Sequence, residues 1–132
     1  MFELLVPALP SQLAMVKGDT ALYDRNLRPT LMIESIRELQ EFGIEPDVWK
    51  LEGIETAEDS HKVASQARSG GREQVGVIVL GRGENAEKVK QWLSVAARIP
   101  GIIGFAVGRT IFWEPLKKIG RASCRERVSS PV

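Results

Sequence analysis

The chain of 132 residues predicts an α/β fold of parallel βα repeats, because strand and helix patterns alternate along residues 1–116. Short apolar runs are separated by stretches in which apolar residues recur every three or four positions. Such alternation requires parallel strands joined by right-handed helical crossovers. Doubly wound sheets and (β/α)8 barrels both satisfy this order. A full barrel needs about 250 residues, so the chain corresponds to about half of one.

The first half of the pattern predicts two strands around one main helix. The strands are the apolar runs over residues 2–6 and 47–52. A long connection over residues 7–28 follows the first strand and contains a short capped helix over residues 11–16. An amphipathic helix with a proline in its first turn then covers residues 29–43.

The second half repeats the pattern twice. A helix over residues 56–70 begins with acidic residues, which the helix dipole favours in the first turn. The run over residues 75–80 is β-branched and uncharged, as is typical of a buried strand. A third helix lies between Gly83 and Pro100, and the last strand covers residues 102–107.

Residues 117–132 are expected to be a non-native or disordered tail. The stretch 119–128 reads like one frame of a DNA-sequencing adapter and has no apolar periodicity and no cap. Excluding that stretch removes Cys124, three arginines and one glutamate, which leaves 15 basic and 16 acidic residues. The sequence is therefore expected to be a fragment of a longer protein.

Composition excludes several classes of function. No apolar stretch approaches the roughly 20 residues of a membrane span, and the chain starts in a strand pattern without a basic leader. With one cysteine and no signal peptide, the expected compartment is the cytoplasm. A formal charge of +1 gives no reason to expect nucleic acid or a membrane as partner. His61 has no partner at metal-ligand spacing, so no metal is expected.

Lys50 lies in the middle of the strand predicted over residues 47–52. A strand flanked by helices is usually covered on both faces, and burial of a lone ammonium is costly. Burial also lowers the pKa of a lysine, which is how Schiff-base lysines become nucleophiles. Two interpretations stay open. Lys50 and Glu52 are either catalytic residues or a structural ion pair, since residues two apart share a strand face.

Two further strands end in glycine and arginine. Gly81, Arg82 and Gly83 follow the third strand, and Gly108 and Arg109 follow the fourth. In parallel α/β folds, ligands bind at the carboxyl ends of the strands. Glycines let backbone N–H groups approach a phosphate, and arginine donates to phosphate oxygens. These five residues predict a phosphate-binding site.

The connection over residues 7–28 carries Asp24, Arg25 and Arg28. Connections longer than about 12–15 residues are uncommon in compact domains and often functional. A functional loop and a solvated charge cluster are both consistent with these residues.

Two other functions fit the same residues. Gly81, Gly83 and Ala86 match the dinucleotide fingerprint G-x-G-x-x-A after a strand. The acid expected about 20 residues later has no good candidate, but Arg109 is suited to the 2′-phosphate of NADP. The second alternative function is that of a non-catalytic α/β module that binds a phosphorylated sugar. In that case Lys50 has only a structural role.

Four motifs carry a resemblance to a known family. They are Phe2–Pro7, Pro46–Glu52, Val79–Gly81 and Gly104–Phe112. They resemble a bacterial aldolase-type barrel domain of unknown function, family 2090, over about residues 2–116. This family occurs alone or behind the sugar kinase 5-dehydro-2-deoxygluconokinase of inositol catabolism. The resemblance implies that residues 1–116 are about four βα units, the C-terminal half of a (β/α)8 TIM barrel.

The resemblance also implies a function. Class I aldolases such as the tagatose-bisphosphate type have a similar Asp-x-x-Lys-x-Glu strand, whose lysine forms a Schiff base. By that likeness, Lys50 is the nucleophile with Glu52 beside it, and Gly81, Gly108 and Arg109 match the phosphate cradle. Kinase-fused relatives carry a carboxylate where this sequence has a proline after the first strand.

The expected parent protein is thus a class I lyase, without a cofactor, that acts on a phosphorylated ketose or keto-sugar acid. Its expected partners are that small phosphorylated sugar, a second copy of the chain and, in relatives, a fused sugar kinase. The 132-residue chain itself is expected to be inactive, since half a barrel leaves its interior exposed.

Overall fold

The structure is a computed structural model that describes residues 1–129, with side chains to residue 121. The strands are β1 (Phe2–Leu4), β2 (Val48–Glu52), β3 (Gly76–Leu80) and β4 (Ile102–Ala106). The helices are α1 (Pro10–Met15), α2 (Thr20–Leu22), a π-helical turn (Tyr23–Leu27), α3 (Arg28–Glu41), α4 (Ala57–Ala67), α5 (Ala86–Ala96) and α6 (Arg109–Ser129).

The sheet has four parallel strands in the order β1-β2-β3-β4. Helices connect successive strands, so the predicted parallel βα repeats are confirmed. Because all strands run in one direction, their carboxyl ends meet at the same edge of the sheet. The segments that follow β2, β3 and β4 therefore lie close to one another.

The prediction of a long connection over residues 7–28 is wrong for its last third. Residues 20–28 are helical, and α2 runs through the π-helical turn into α3. In that turn the N–H of Arg28 donates to the carbonyl oxygen of Tyr23, five residues earlier. The next residue, Pro29, has no N–H to donate, and its ring crowds the carbonyl four residues before it. The wider turn lets the helix continue past this proline.

The core lies between one face of the sheet and helices α3, α4 and α5. Trp49 and Leu51 on β2 pack with Met32 and Ile36 of α3. Trp92 of α5 forms a second buried cluster beside β3. Complete burial of such side chains stabilises a fold by about 1.5–3 kcal/mol each. These contacts fix the sheet on the helices and leave its other face for the site.

The opposite face of the sheet is open in the described chain. The strand register aligns Glu3, Lys50, Ile78 and Gly104 in one row across the sheet. Side chains alternate along a strand, so this row points away from the core residues. Glu3 is exposed and the other three are half-buried. The expectation that β2 is covered on both faces is therefore wrong here.

The last helix, α6, runs from Arg109 to Ser129. It enters the segment that was expected to be a non-native or disordered tail, while residues 130–132 of that segment lie outside the described residues. Through Arg121 its side chains are exposed apart from the half-buried Thr110. Within the described residues, no helix combines the length and apolar character that crossing a membrane requires.

Candidate functional site

A pocket at the carboxyl edge of the sheet gathers most of the predicted site. Six of the seven predicted residues line it: Lys50, Gly81, Arg82, Gly83, Gly108 and Arg109. Glu3, Leu80, Ala106, Val107, Thr110 and Phe112 complete the lining. The seventh, Glu52, lies below this pocket among buried charges. The parallel sheet thus places the lysine and both Gly-Arg segments around one concave surface.

Lys50 pairs with Glu3 of the neighbouring strand. Its Nζ donates to Glu3 Oε2 at 2.8 Å, and the two side chains are 24% and 48% exposed. The alternative of an ion pair between Lys50 and Glu52 is therefore wrong. Strand spacing explains the difference: register neighbours on adjacent strands lie about 4.8 Å apart, whereas residues two apart along one strand are separated by about 6.6 Å.

Glu52 belongs to a charge cluster that consists of Asp24, Arg28, Glu52 and Arg82, in which the first three are buried and the side chain of Arg82 is 32% exposed. Its carboxylate is 3% exposed and accepts a hydrogen bond from the N–H of Val6 at 2.8 Å. Arg82 Nη1 donates to it at 3.1 Å, and Arg28 Nη1 lies 3.3 Å away. The cluster joins the loop after β1, the end of β2, the turn after β3 and α3.

Arg28 is the most buried member of the charge cluster, with a side chain that is fully inaccessible. Its Nη2 donates to the carbonyl oxygen of Gly53 at 2.8 Å, and its guanidinium lies 5.9 Å from the ring centre of Trp92. Asp24 lies one helical turn before it, at 3.7 Å from Nε. The interpretation of Asp24 and Arg28 as solvated loop charges is therefore wrong. Their i, i+4 spacing was the sequence signal for a helical pair.

Arg82 has a left-handed backbone, with φ of +51°. Its guanidinium donates to the carboxylates of Asp24, Glu52 and Glu84. Burial acts to lower the pKa of Arg82, but the hydrogen bonds to Asp24, Glu52 and Glu84 outweigh burial and raise the pKa above its usual range. Arg82 therefore stays charged and is held mainly by carboxylates of its own chain.

Tyr23 ties the loop after β1 to the same region. Its hydroxyl donates to the carbonyl oxygen of Val6 at 3.0 Å. Burial raises the pKa of Tyr23, and the nearby carboxylates Glu52 and Asp24 raise it further, against the lowering effect of Arg28. A second pocket adjoins the charge cluster here, lined by Leu5, Pro7, Ala8, Thr20, Tyr23, Asp24, Glu52 and Arg82.

Arg109 differs from Arg82 in its surroundings. It is exposed at the first position of α6, and no ion pair involves it within the described residues. Its guanidinium packs on Gly83, where a Cβ would lie 2.7 Å from Nη2. The hydroxyl of the next residue, Thr110, donates to the carbonyl oxygen of Glu84 at 2.9 Å. The turn after β3 and the start of α6 are thus in direct contact.

The pocket combines the amine of Lys50 and the adjacent carboxylate of Glu3 with a rim of glycines and arginines. Backbone N–H groups at the first turn of α6 add partial positive charge at that rim. In the part of the chain that the structure describes, no three His, Cys, Asp or Glu side chains form a group that could hold a metal ion. The chemistry that this arrangement offers is proton transfer and nucleophilic attack by an amine, with an anion held nearby.

The fold and this pocket define the class of protein as a parallel α/β domain with a candidate site at the carboxyl edge of its sheet. Comparison with protein families gives a match over residues 17–126, and the chain belongs to the DUF2090 family, described as an uncharacterized protein conserved in bacteria. The predicted membership in family 2090 is therefore confirmed. Searches of curated proteins and of solved structures gave no significant match.

Proposed function

We propose that this chain carries the reactive half of a cytoplasmic aldolase-type (β/α)8 barrel, a class I lyase that cleaves a phosphorylated ketose or keto-sugar acid. The observation that carries the proposal is the shared pocket of Lys50 and Arg109. In such barrels the face of the sheet away from the helices points to the interior, and the site lies at the carboxyl ends of the strands. Lys50 lies on that face of the sheet, in the middle of β2, and lines the pocket together with the residues that follow β3 and β4.

The proposed chemistry begins with Lys50. Its amine attacks the ketone carbon, water leaves, and the resulting iminium accepts the electron pair of the breaking C–C bond. A carboxylate takes the proton of the hydroxyl on the departing carbon, which leaves as an aldehyde or related carbonyl compound. The enamine then takes up a proton, and water hydrolyses the iminium to release the second product and the free amine.

Glu3 is suited to the proton transfers at the amine, because its carboxylate lies 2.8 Å from Nζ of Lys50. Sequence reasoning missed this residue. Glu52, predicted as the catalytic neighbour, accepts hydrogen bonds from the N–H of Val6 and from Arg82. In the proposal Glu52 holds Arg82 and the loop after β1 in place, while Glu3 exchanges protons with Lys50.

Schiff-base trapping tests the proposal. The protein is incubated with dihydroxyacetone phosphate and borohydride, and its intact mass is measured. Wild type should gain the mass of one reduced adduct, and Lys50→Met should not. Lys62→Met is the matched control, because Lys62 also pairs with a carboxylate, at 2.7 Å from Glu58, but lies on an outer helix. A Lys50→Met protein that is trapped as efficiently as wild type would refute the proposal.

A non-catalytic phosphosugar-binding module is the second candidate, favoured by the completed ion pair of Lys50 with Glu3. It predicts calorimetric binding of a phosphosugar that survives Lys50→Met, and no trapped adduct with wild type. A less favoured NADP site predicts binding of NADP that Arg109→Ala abolishes. These tests measure binding and adduct formation and do not measure catalytic turnover. The reason is that the open face of the sheet leaves the proposed barrel interior of this chain in contact with water.

A further inference from the structure

The pocket beside Tyr23, which we call the loop pocket, has no part in the proposed chemistry. It adjoins the Lys50 pocket, and Arg82 lines both. We infer that the loop pocket binds the end of the substrate chain that carries no phosphate, and that this end is uncharged and bears hydroxyl groups. The inference rests on the proposed function and narrows its substrate to a ketose that is phosphorylated at one end only.

The loop pocket combines apolar side chains with buried polar groups. Its volume is about 360 Å³, which is within the range of roughly 300–1,000 Å³ for pockets that bind small molecules. The chain after β1 contributes the apolar residues Leu5, Pro7 and Ala8. Tyr23 and Asp24 are buried and begin the π-helical turn. Such turns are frequent at functional sites.

The buried carboxylates of the loop pocket keep some capacity to accept hydrogen bonds. A carboxylate has about four acceptor positions. Asp24 accepts two hydrogen bonds, both from Arg82. Glu52 accepts one from the N–H of Val6 and one from Arg82. Because positions stay open on both carboxylates, each can accept a further hydrogen bond from a hydroxyl group of a ligand.

The charges favour an uncharged ligand. Among the described residues that line the loop pocket, Arg82 is the only cation, and three carboxylates already contact its guanidinium. A phosphate beside Asp24 and Glu52 would meet two like charges in a partly buried place, where repulsion is stronger than in water. An ammonium group would meet Arg82 and the buried Arg28. A hydroxyl group avoids both repulsions and still donates to the carboxylates.

Strand β2 sets the distance between the two pockets. Lys50 lines one pocket and Glu52 lines the other, two positions further along the same strand. Positions two apart on a strand are separated by about 6.6 Å, a length that the carbon chain of a sugar spans. A ketose whose carbonyl carbon is bonded to Lys50 can therefore place its hydroxyl-bearing end in the loop pocket.

Schiff-base trapping with two ketoses tests the inference. Dihydroxyacetone phosphate and D-fructose 1-phosphate have the same phosphate and carbonyl group, but fructose 1-phosphate adds three hydroxyl-bearing carbons on the other side of the carbonyl. Intact mass after borohydride reduction gives the concentration of each ketose at which half of the protein is trapped. The ratio of the two concentrations is compared between proteins, so the cyclic fraction of fructose 1-phosphate in solution cancels.

Two substitutions alter the loop pocket in different ways. Asp24→Asn keeps the shape of the side chain but removes the charge that strengthens its hydrogen bonds. It should weaken trapping by fructose 1-phosphate, relative to dihydroxyacetone phosphate, by at least about tenfold, the loss expected for a hydrogen bond to a charged group. Ala8→Leu adds volume to the pocket lining without removing a charge and should act in the same direction. Ala21→Leu is the matched control, because Ala21 is exposed on α2 outside the pocket, and the ratio should stay unchanged.

D-Fructose 6-phosphate tests which end of the ketose enters the loop pocket. Its phosphate is at the end that the inference places beside Asp24 and Glu52, so wild type should be trapped several-fold less efficiently than with fructose 1-phosphate.

The possible failures are distinguishable. An unchanged ratio in both Asp24→Asn and Ala8→Leu, or equal trapping by the two fructose phosphates, would overturn the inference and leave the proposed role of Lys50 intact. Absence of an adduct with every ketose in wild type would overturn the proposed function itself. Ala8→Leu and fructose 6-phosphate keep the test decisive even if Asp24→Asn does not fold.

Discussion

Replacement of Glu52 by glutamine tests whether the charge cluster holds the site together. The substitution keeps the shape of the side chain and an acceptor oxygen for the N–H of Val6. It removes one of two negative charges from a cluster that contains Arg28 and Arg82 as cations. After the change, only Asp24 and the more exposed Glu84 offset these two cations.

The expected loss of stability follows from burial. Removal of one partner from a buried ion pair costs about 3–5 kcal/mol, because the other charge stays buried without its counter-ion. Glu52 is 3% exposed and Arg28 is fully buried, but Asp24 stays at 3.7 Å from Nε of Arg28, so only the lower end of this range applies. The glutamine oxygen still accepts a hydrogen bond, so we expect a value near the lower end, about 3 kcal/mol.

The matched control is Glu3→Gln. Glu3 is on the same face of the sheet and also pairs with a cation, but its side chain is 48% exposed. Exposed pairs contribute about 0–1 kcal/mol. Urea unfolding is followed by the fluorescence of the buried Trp49 and Trp92. A loss for Glu52→Gln no larger than that for Glu3→Gln would show that the cluster does not stabilise the fold.

Three further predictions concern the surroundings of the site. Gly53→Ala should lower the free energy of unfolding by about 1–3 kcal/mol, because the new Cβ would overlap the indole ring of Trp92; an unchanged urea midpoint would contradict this close contact. Burial raises the pKa of Tyr23, so stability should fall as the pH rises above the ordinary tyrosine value of about 10, and Tyr23→Phe should remove this fall. Unfolding curves between pH 9 and 11 check this, and equal slopes for both proteins would refute it. Hydrogen bonds from Arg72 lower the pKa of Glu45, so a carboxyl titration should move to higher pH in Arg72→Gln, and an unmoved titration would exclude the pair in solution.

The sequence was sufficient for the elements that depend on local pattern. The run over residues 75–80 became β3, Gly76–Leu80, because an uncharged β-branched run fits a strand with neighbours on both sides. Helix α5 ends shortly before Pro100, as its pattern indicated. The parallel direction of the strands followed from the alternation of elements. Each of these features depends on residues that lie within about 15 positions of one another in the sequence.

Features that depend on distant contacts were missed. Glu3 meets Lys50 only through the register of β1 on β2, which places residues 47 positions apart side by side. Arg82 reaches Asp24 and Glu52 across 58 and 30 positions, so its engaged donors could not be inferred from the Gly-Arg pattern. The expectation that Pro29 lies in the first turn of a helix is confirmed, because α3 begins at Arg28, but the helical residues 20–27 before it were not predicted.

Peptide mapping of the trapped protein tests the central claim most directly. Borohydride reduction in the presence of dihydroxyacetone phosphate, followed by digestion and mass spectrometry, gives the adduct fraction on each lysine. Lys50 should carry nearly all of the adduct, and glycerol 3-phosphate, which has no carbonyl group, should give none. An unmodified Lys50, or an adduct spread evenly over Lys50 and exposed lysines such as Lys62, would contradict the Schiff-base role of Lys50.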